Sequence, residues 1–140
     1  MTHKILRIED TDGEGLYRVG EFQWSLAKRL GMTQDNCPVR PAPSADGLCD
    51  GMLAPTEQYG FANPDQLIRW MDDINPEDIY EKQGHIVEVE VSELTKGRNQ
   101  IRFRPEDVIS RKVLTVDQFY DTLYSNTANQ LENIAATLRN

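Results

Sequence analysis

The second half of the chain has clear helical and extended hydrophobic patterns. Asn63 and Asn75 are each followed by proline and acidic or amide residues, which is the composition of a helix N-terminus. Residues 85–91 alternate valine with glutamate, the period-two pattern of a strand with one buried face. Residues 100–104 alternate in the same way after a turn at Gly97, so we expect these two strands to form an antiparallel pair.

The first half has weaker patterns. Residues 4–8 predict a strand that ends in an Asp/Gly-rich turn, and residues 16–19 predict a second extended piece. Residues 21–30 predict a helix, because apolar residues recur at four-residue steps and Gly31 supplies a stop. Residues 36–56 contain four prolines without sustained periodicity, which predicts a long loop.

A long C-terminal helix is predicted to begin at Thr115, because Thr115 and Gln118 have the spacing of a capping box. An apolar stripe along this helix is expected to close the core of the domain. The stripe consists of Phe119, Leu123, Leu131, Ile134 and Leu138. Because strands and helices occur in runs, we predict an α+β fold with a small antiparallel sheet and three to four helices, in one domain over residues 1–140.

Composition narrows the classes of partner. The chain has 23 acidic and 15 basic residues, a formal net charge of −8. That charge repels nucleic-acid phosphate and favours a protein partner with a basic surface. No apolar run is long enough for a membrane span, and Cys37 and Cys49 lack zinc-site spacing. We therefore expect a cytoplasmic protein with two unlinked thiols.

The turn after the first strand has the ligand spacing of an EF-hand calcium loop. Oxygen-bearing side chains occupy positions 1, 3, 5 and 12 of that pattern, and Gly15 occupies position 6. The four candidate ligands are Asp10, Asp12, Glu14 and Glu21. A strand-like segment precedes them instead of an entering helix, so a solvated turn without a cation is the alternative interpretation.

Several short motifs resemble a family of small phage and prophage proteins from Leu16 to about Val113. They are Gly-x-Tyr-Arg ending at Arg18, Pro-x-Pro-x-x-Asp ending at Asp46, Tyr-Gly-Phe-Ala at residues 59–62 and Asn-Gln-Ile-Arg-Phe at residues 99–103. The resemblance implies a phage accessory protein that binds and inhibits a host macromolecule, for example a component of antiviral defence such as a CRISPR system. A phage-encoded protein of this kind is expected in the cytoplasm of the host cell.

The layout is also similar, more distantly, to an ADP-ribosyltransferase core. That resemblance implies catalytic candidates at Arg18, Tyr59 and Gln100, and NAD contacts that add Tyr17, Phe61 and Arg102. Arg102 stands where the family has its catalytic glutamate, and a guanidinium would repel the positive charge that develops on the ribose.

Three functional hypotheses follow from these patterns. The first is a noncatalytic inhibitor that needs no cofactor and binds a basic host protein. The second is an ADP-ribosyltransferase-like enzyme or NAD-nucleotide binder, and the third is a calcium-stabilised structural module.

Overall fold

A computed structural model describes residues 2–16, 25–32 and 58–139 of the chain. The elements in these ranges are, in chain order, β1 (His3–Asp10), α1 (Leu26–Arg29), β2 (Gln58–Gly60), α2 (Pro64–Met71), α3 (Pro76–Glu81), β3 (Gly84–Val91), β4 (Thr95–Lys96), β5 (Ile101–Phe103), a short 3-10 helix (Pro105–Asp107), β6 (Val108–Leu114) and α4 (Val116–Arg139). The predicted α+β class is therefore confirmed. The predicted loop at 36–56 and the predicted extended segment at 17–19 lie outside the described residues.

Strand β3 is the centre of the first sheet, with β1 and β6 antiparallel on either side. The predicted strand at 85–91 is confirmed, but its predicted pairing with residues 100–104 is wrong. Val89 lies opposite Ile5 on one side and Arg111 on the other. Five of the seven β6 residues are exposed, so this strand lacks the alternation that identifies a half-buried strand in a sequence.

The second sheet has β5 at its centre, between β2 and β4. A single bridge joins it to the first sheet: Leu6 N–H donates to Phe61 O at 2.8 Å, and Phe61 N–H donates to Leu6 O at 2.7 Å. Gly60 permits this approach, because a Cβ at that position would lie 2.6 Å from Leu6 O. The bridge therefore fixes how β2 and β5 lie against β1.

Two apolar clusters form the described core. The larger one includes Leu6, Ile8 and Ile86 of the first sheet together with residues of α1–α4. The smaller one lies where the two sheets meet, and consists of Ile5, Val87, Val89, Val91, Ile101 and Phe103. Since alternate residues of β1 enter different clusters, both faces of this strand are buried.

The helix starts predicted at Asn63 and Asn75 are confirmed. Asn63 Oδ1 accepts a hydrogen bond from Gln66 N–H at 3.0 Å, and Gln66 Oε1 accepts one from Ala62 N–H at 2.9 Å. Asp78 Oδ2 accepts the backbone N–H of Asn75 at 3.0 Å. These side chains bind amide groups that have no partner within the helix.

Helix α4 starts at the predicted capping box, with Gln118 N–H donating to Thr115 Oγ1 at 3.1 Å and Thr115 N–H donating to Gln118 Oε1 at 2.9 Å. The prediction for its apolar stripe is wrong in its second half. Phe119 is fully buried and Leu123 packs against the core. Leu131, Ile134 and Leu138 are 62%, 56% and 80% exposed. Periodicity identified the apolar face of the helix, but the described part of the domain does not extend far enough to cover it.

Candidate functional site

Strands β2 and β5 bring together three of the residues implied by the ADP-ribosyltransferase resemblance. Tyr59 lies directly opposite Arg102 in this antiparallel pair. Gln100 precedes β5 and is buried, and its backbone oxygen accepts the N–H of Gly97 at 2.9 Å. Residues 100 and 102 share one face of an extended segment, and facing residues of two strands share that face as well. Tyr59, Gln100 and Arg102 are therefore neighbours.

Phe61 has a packing role in this arrangement. Its ring is buried and lies 5.7 Å from the ring of Trp70, tilted by 56°. Gln66, Arg69, Trp70 and Asn99 line a nearby depression of about 10 Å³, room for roughly one water molecule. This depression alone is too small for a nucleotide, since ligand pockets usually reach several hundred cubic ångströms.

The remaining residues of that resemblance are Tyr17 and Arg18, which lie outside the described residues. Whether Arg18 approaches Tyr59 and Gln100 therefore stays a prediction. Arg102 donates from Nη2 to Thr95 Oγ1 of β4 at 3.3 Å. The ADP-ribosyltransferase resemblance implies a carboxylate at this position, where the chain has a guanidinium.

The Asp10 turn is organised around its own backbone. Asp10 Oδ1 accepts the N–H groups of Asp12 at 2.8 Å and Glu14 at 3.1 Å. Asp10 N–H donates to Glu14 O at 2.8 Å, and Gly13 has a φ of 80°, which closes the turn. A strand enters this turn, as the sequence predicted. The fourth candidate ligand, Glu21, lies outside the described residues.

A buried ionic cluster lies on the face of the first sheet that continues from the smaller apolar cluster. Arg7 Nη1 donates to Glu9 Oε2 at 2.9 Å, and Arg111 of β6 binds the other oxygen of Glu9. Arg7 is 7% exposed and Glu9 is 2% exposed. This cluster was not predicted from the sequence, although the same-face spacing of Arg7 and Glu9 on a strand is a local signal for it.

Two arginines thus share one buried carboxylate. Burial lowers the pKa of Arg7, and the charge of Arg111 lowers it further, whereas Glu9 raises it. Arg7 Nε has no hydrogen-bond partner within the described residues. Because Glu9 is the charge-assisted acceptor for both guanidinium groups, it holds β1 and β6 together across β3.

Acidic residues are frequent in α3 and in the first turns of α4, two helices that contact each other. We name this surface the acidic patch, which comprises Glu77, Asp78, Glu81, Asp117 and Asp121. The hydroxyl of Tyr120 donates to Glu77, with distances of 2.8 Å to Oε1 and 3.0 Å to Oε2. This hydrogen bond, with burial and the neighbouring negative charges, raises the pKa of Tyr120 to about 12.

Basic residues are absent from the helices of this patch. Helix α3 has no lysine or arginine, and α4 has none before Arg139. Lys82 follows α3 directly as its C-cap, and six other basic residues of the second half occur around β4, β5 and β6. Positive charge in this half of the chain is therefore concentrated around the later strands.

Two further findings concern the described residues. No three histidine, cysteine, aspartate or glutamate side chains among them are grouped so that they could hold a metal ion. Within the same ranges, no helix is both long enough and apolar enough to cross a membrane.

Comparisons with known proteins place the chain in a family. No curated protein and no solved structure matches it. The resemblance to the ADP-ribosyltransferase core therefore stays a prediction. The family model described as the bacteriophage T4 Y00F protein matches residues 1–117, well over half of the chain. The predicted resemblance to phage proteins is thus confirmed, and the chain belongs to the bacteriophage T4 Y00F protein family.

Proposed function

We propose that this protein is a noncatalytic phage accessory protein that binds a basic surface of a host protein and blocks it by occupying that surface. The observation that carries the proposal is the acidic patch on α3 and α4. Its five carboxylates belong to two adjacent helices that contain no basic residue before Arg139, with Lys82 at the C-cap of α3, in a chain of net charge −8. Such a field speeds encounter with a positively charged protein and repels nucleic acid.

The geometry of the patch also supports binding by a preformed surface. Tyr120 ties α4 to α3 through Glu77, and Asp65 Oδ2 accepts hydrogen bonds from Asn126 Nδ2 at 2.9 Å and Gln130 Nε2 at 2.8 Å. The Glu77 bond holds α4 against α3, and the Asp65 bonds hold α4 against α2, before any partner arrives, so little ordering entropy is lost on association.

The test is recovery of partners from host lysate at increasing salt, with two double variants of equal charge. Asp117→Asn with Asp121→Asn neutralises part of the acidic patch and spares Glu77. Glu93→Gln with Glu106→Gln neutralises two exposed acids elsewhere. We expect a basic host protein whose recovery falls as salt shortens the Debye length from about 10 Å at 0.1 M to about 3 Å at 1 M.

The patch variant should lose that partner while the control variant retains it. The activity of the recovered partner should fall when the protein is added back. Equal recovery with both variants, or recovery insensitive to salt, would contradict the proposal.

A nucleotide-binding role is a second candidate, favoured by the adjacency of Tyr59 and Arg102 across β2 and β5. An aromatic ring and a guanidinium on one face are suited to a base and a phosphate, respectively. Equilibrium binding of NAD, compared between the native chain and Arg102→Gln, tests this role separately from partner recovery.

A further inference from the structure

The second half of α4 presents a continuous apolar seam to solvent. Tyr124, Leu131, Ile134 and Leu138 are all more than half exposed. Their spacings of seven, three and four residues are those of successive a, a, d and a positions in a heptad repeat. At 100° per residue the four side chains lie within an arc of about 80°, so they form one seam on one side of the helix.

The surroundings of the seam argue against a charged partner. Glu132 is the only charged residue between positions 122 and 138. The positions that flank the seam, where coiled coils place partner-selecting charges, carry Ala128, Gln130, Ala135 and Thr137. The seam therefore has no charge pattern that a different chain would have to complement, and it does not repel a copy of itself.

We propose that α4 pairs antiparallel with α4 of a second copy of this chain, with Leu131 packed against Ile134 of the partner subunit. The antiparallel direction follows from the charge of the domain. Each domain carries most of the net charge of −8 at the N-terminal side of the seam. A parallel pair would place two such domains side by side, whereas an antiparallel pair places them at opposite ends.

The length of the seam sets the strength of the pair. With Leu131 opposite Ile134 of the partner subunit, the paired segment runs from Thr127 to Leu138 of each chain, roughly 17 Å of helix, and Tyr124 lies beyond it. A paired segment of fewer than two heptads buries less than a standard stable interface of about 800 Å² per partner. The dimer is therefore reversible and forms as protein concentration rises.

Sedimentation equilibrium over a range of concentrations tests the pairing. We expect the apparent mass to rise from monomer toward dimer, and the dissociation constant to increase at least about tenfold in Leu131→Asp. Asn133→Asp is the matched control, since it adds the same charge two residues along at an exposed position off the seam. Circular dichroism checks that both variants are folded.

Cysteine cross-linking tests the direction in a chain whose Cys37 and Cys49 are replaced by serine. The antiparallel register places residue 138 opposite residue 127 of the partner subunit. A mixture of Thr127→Cys and Leu138→Cys chains should cross-link, and Leu138→Cys alone should not. A monomer at every concentration, equal weakening by Asn133→Asp, or self-cross-linking of Leu138→Cys would overturn the proposal.

Salt separates this inference from the proposed function. The seam is uncharged, so added salt should leave the dimer intact, while host-partner recovery should fall. Leu131→Asp should abolish the dimer without changing the acidic patch.

Discussion

Glu9 accepts a hydrogen bond from Arg7 at 2.9 Å, two positions along the same strand, and both side chains are buried. Arg111 binds the second oxygen of the same carboxylate from a strand that is not adjacent to β1. One side chain thus neutralises charge on two strands, and its loss would leave a buried guanidinium without its counter-ion.

Replacing Glu9 with glutamine is expected to lower the free energy of unfolding by about 3 kcal/mol, because breaking a buried ion pair strands the remaining charge in the interior. Urea denaturation measures this loss. Glu106→Gln is the control, since its pair with Arg104 at 3.5 Å is exposed, and we expect a change within about 0.5 kcal/mol. Similar effects of the two variants would show that the Glu9 cluster contributes no more than a surface pair.

Tyr120 is expected to make stability depend on pH at the alkaline end. Its hydrogen bond to Glu77 requires the protonated hydroxyl, and the pKa is raised to about 12 in the folded chain. The usual tyrosine pKa is about 10. This stabilisation is complete below about pH 10 and is lost as pH rises toward about 12.

Denaturation midpoints across that pH window, compared with Tyr120→Phe, measure the effect. The variant should lose less stability with rising pH than the native chain. Since burial also raises the pKa of Tyr80, only the difference between the two proteins reports on Tyr120. Parallel pH profiles would argue against the Glu77 bond in solution.

Calcium is expected to leave the melting temperature unchanged, because Asp10 Oδ1 already accepts two backbone N–H groups of its turn. A ligand at 100 times its dissociation constant would add about 2.7 kcal/mol. Thermal melts with calcium or with a chelator therefore distinguish a turn that binds calcium from a turn that does not. A rise in melting temperature that Asp12→Ala abolishes would establish a calcium site.

The protein is expected not to cleave NAD at an enzymatic rate. Arg102 lies on β5, at the position where the ADP-ribosyltransferase resemblance implies a carboxylate, and its positive charge would oppose formation of a ribosyl cation. Nicotinamide release measures turnover. Turnover that disappears in Gln100→Ala but persists in the exposed-site control Arg98→Ala would place catalysis at this strand and contradict the prediction.

Local signals in the sequence were sufficient to predict where α2, α3 and α4 start. The side chains of Asn63 and Thr115 accept amide groups three residues along, and the amide group of Asn75 donates to Asp78, so these helix starts depend on neighbours in the chain. Strand pairing depends instead on distant segments. Residues 85–91 were identified as a strand, but the sequence did not show that residues 108–114, with exposed charges, would be one of their partners.

The contacts within the candidate sites also depend on the pairing of distant segments. The adjacency of Tyr59, Gln100 and Arg102 follows from the pairing of β2 with β5. No local pattern in residues 58–60 predicts this pairing. The bond between Arg111 and Glu9 joins residues 102 positions apart, and only the register of the first sheet brings them together. Periodicity in α4 showed which side is apolar, but whether that side meets the domain depends on how far the other elements extend.

The register of β1 against β3 has a consequence during synthesis. His3 lies opposite Val91, so 88 residues (91 − 3) separate the partners. At a translation rate of about 5–20 residues per second, Val91 is synthesised roughly 4 to 18 s after His3. Ile5, Leu6 and Ile8 cannot complete their sheet in this interval. A nascent chain released before β3 is synthesised would therefore be a substrate for chaperones and proteases, and folding of the N-terminal half is coupled to translation of the C-terminal half.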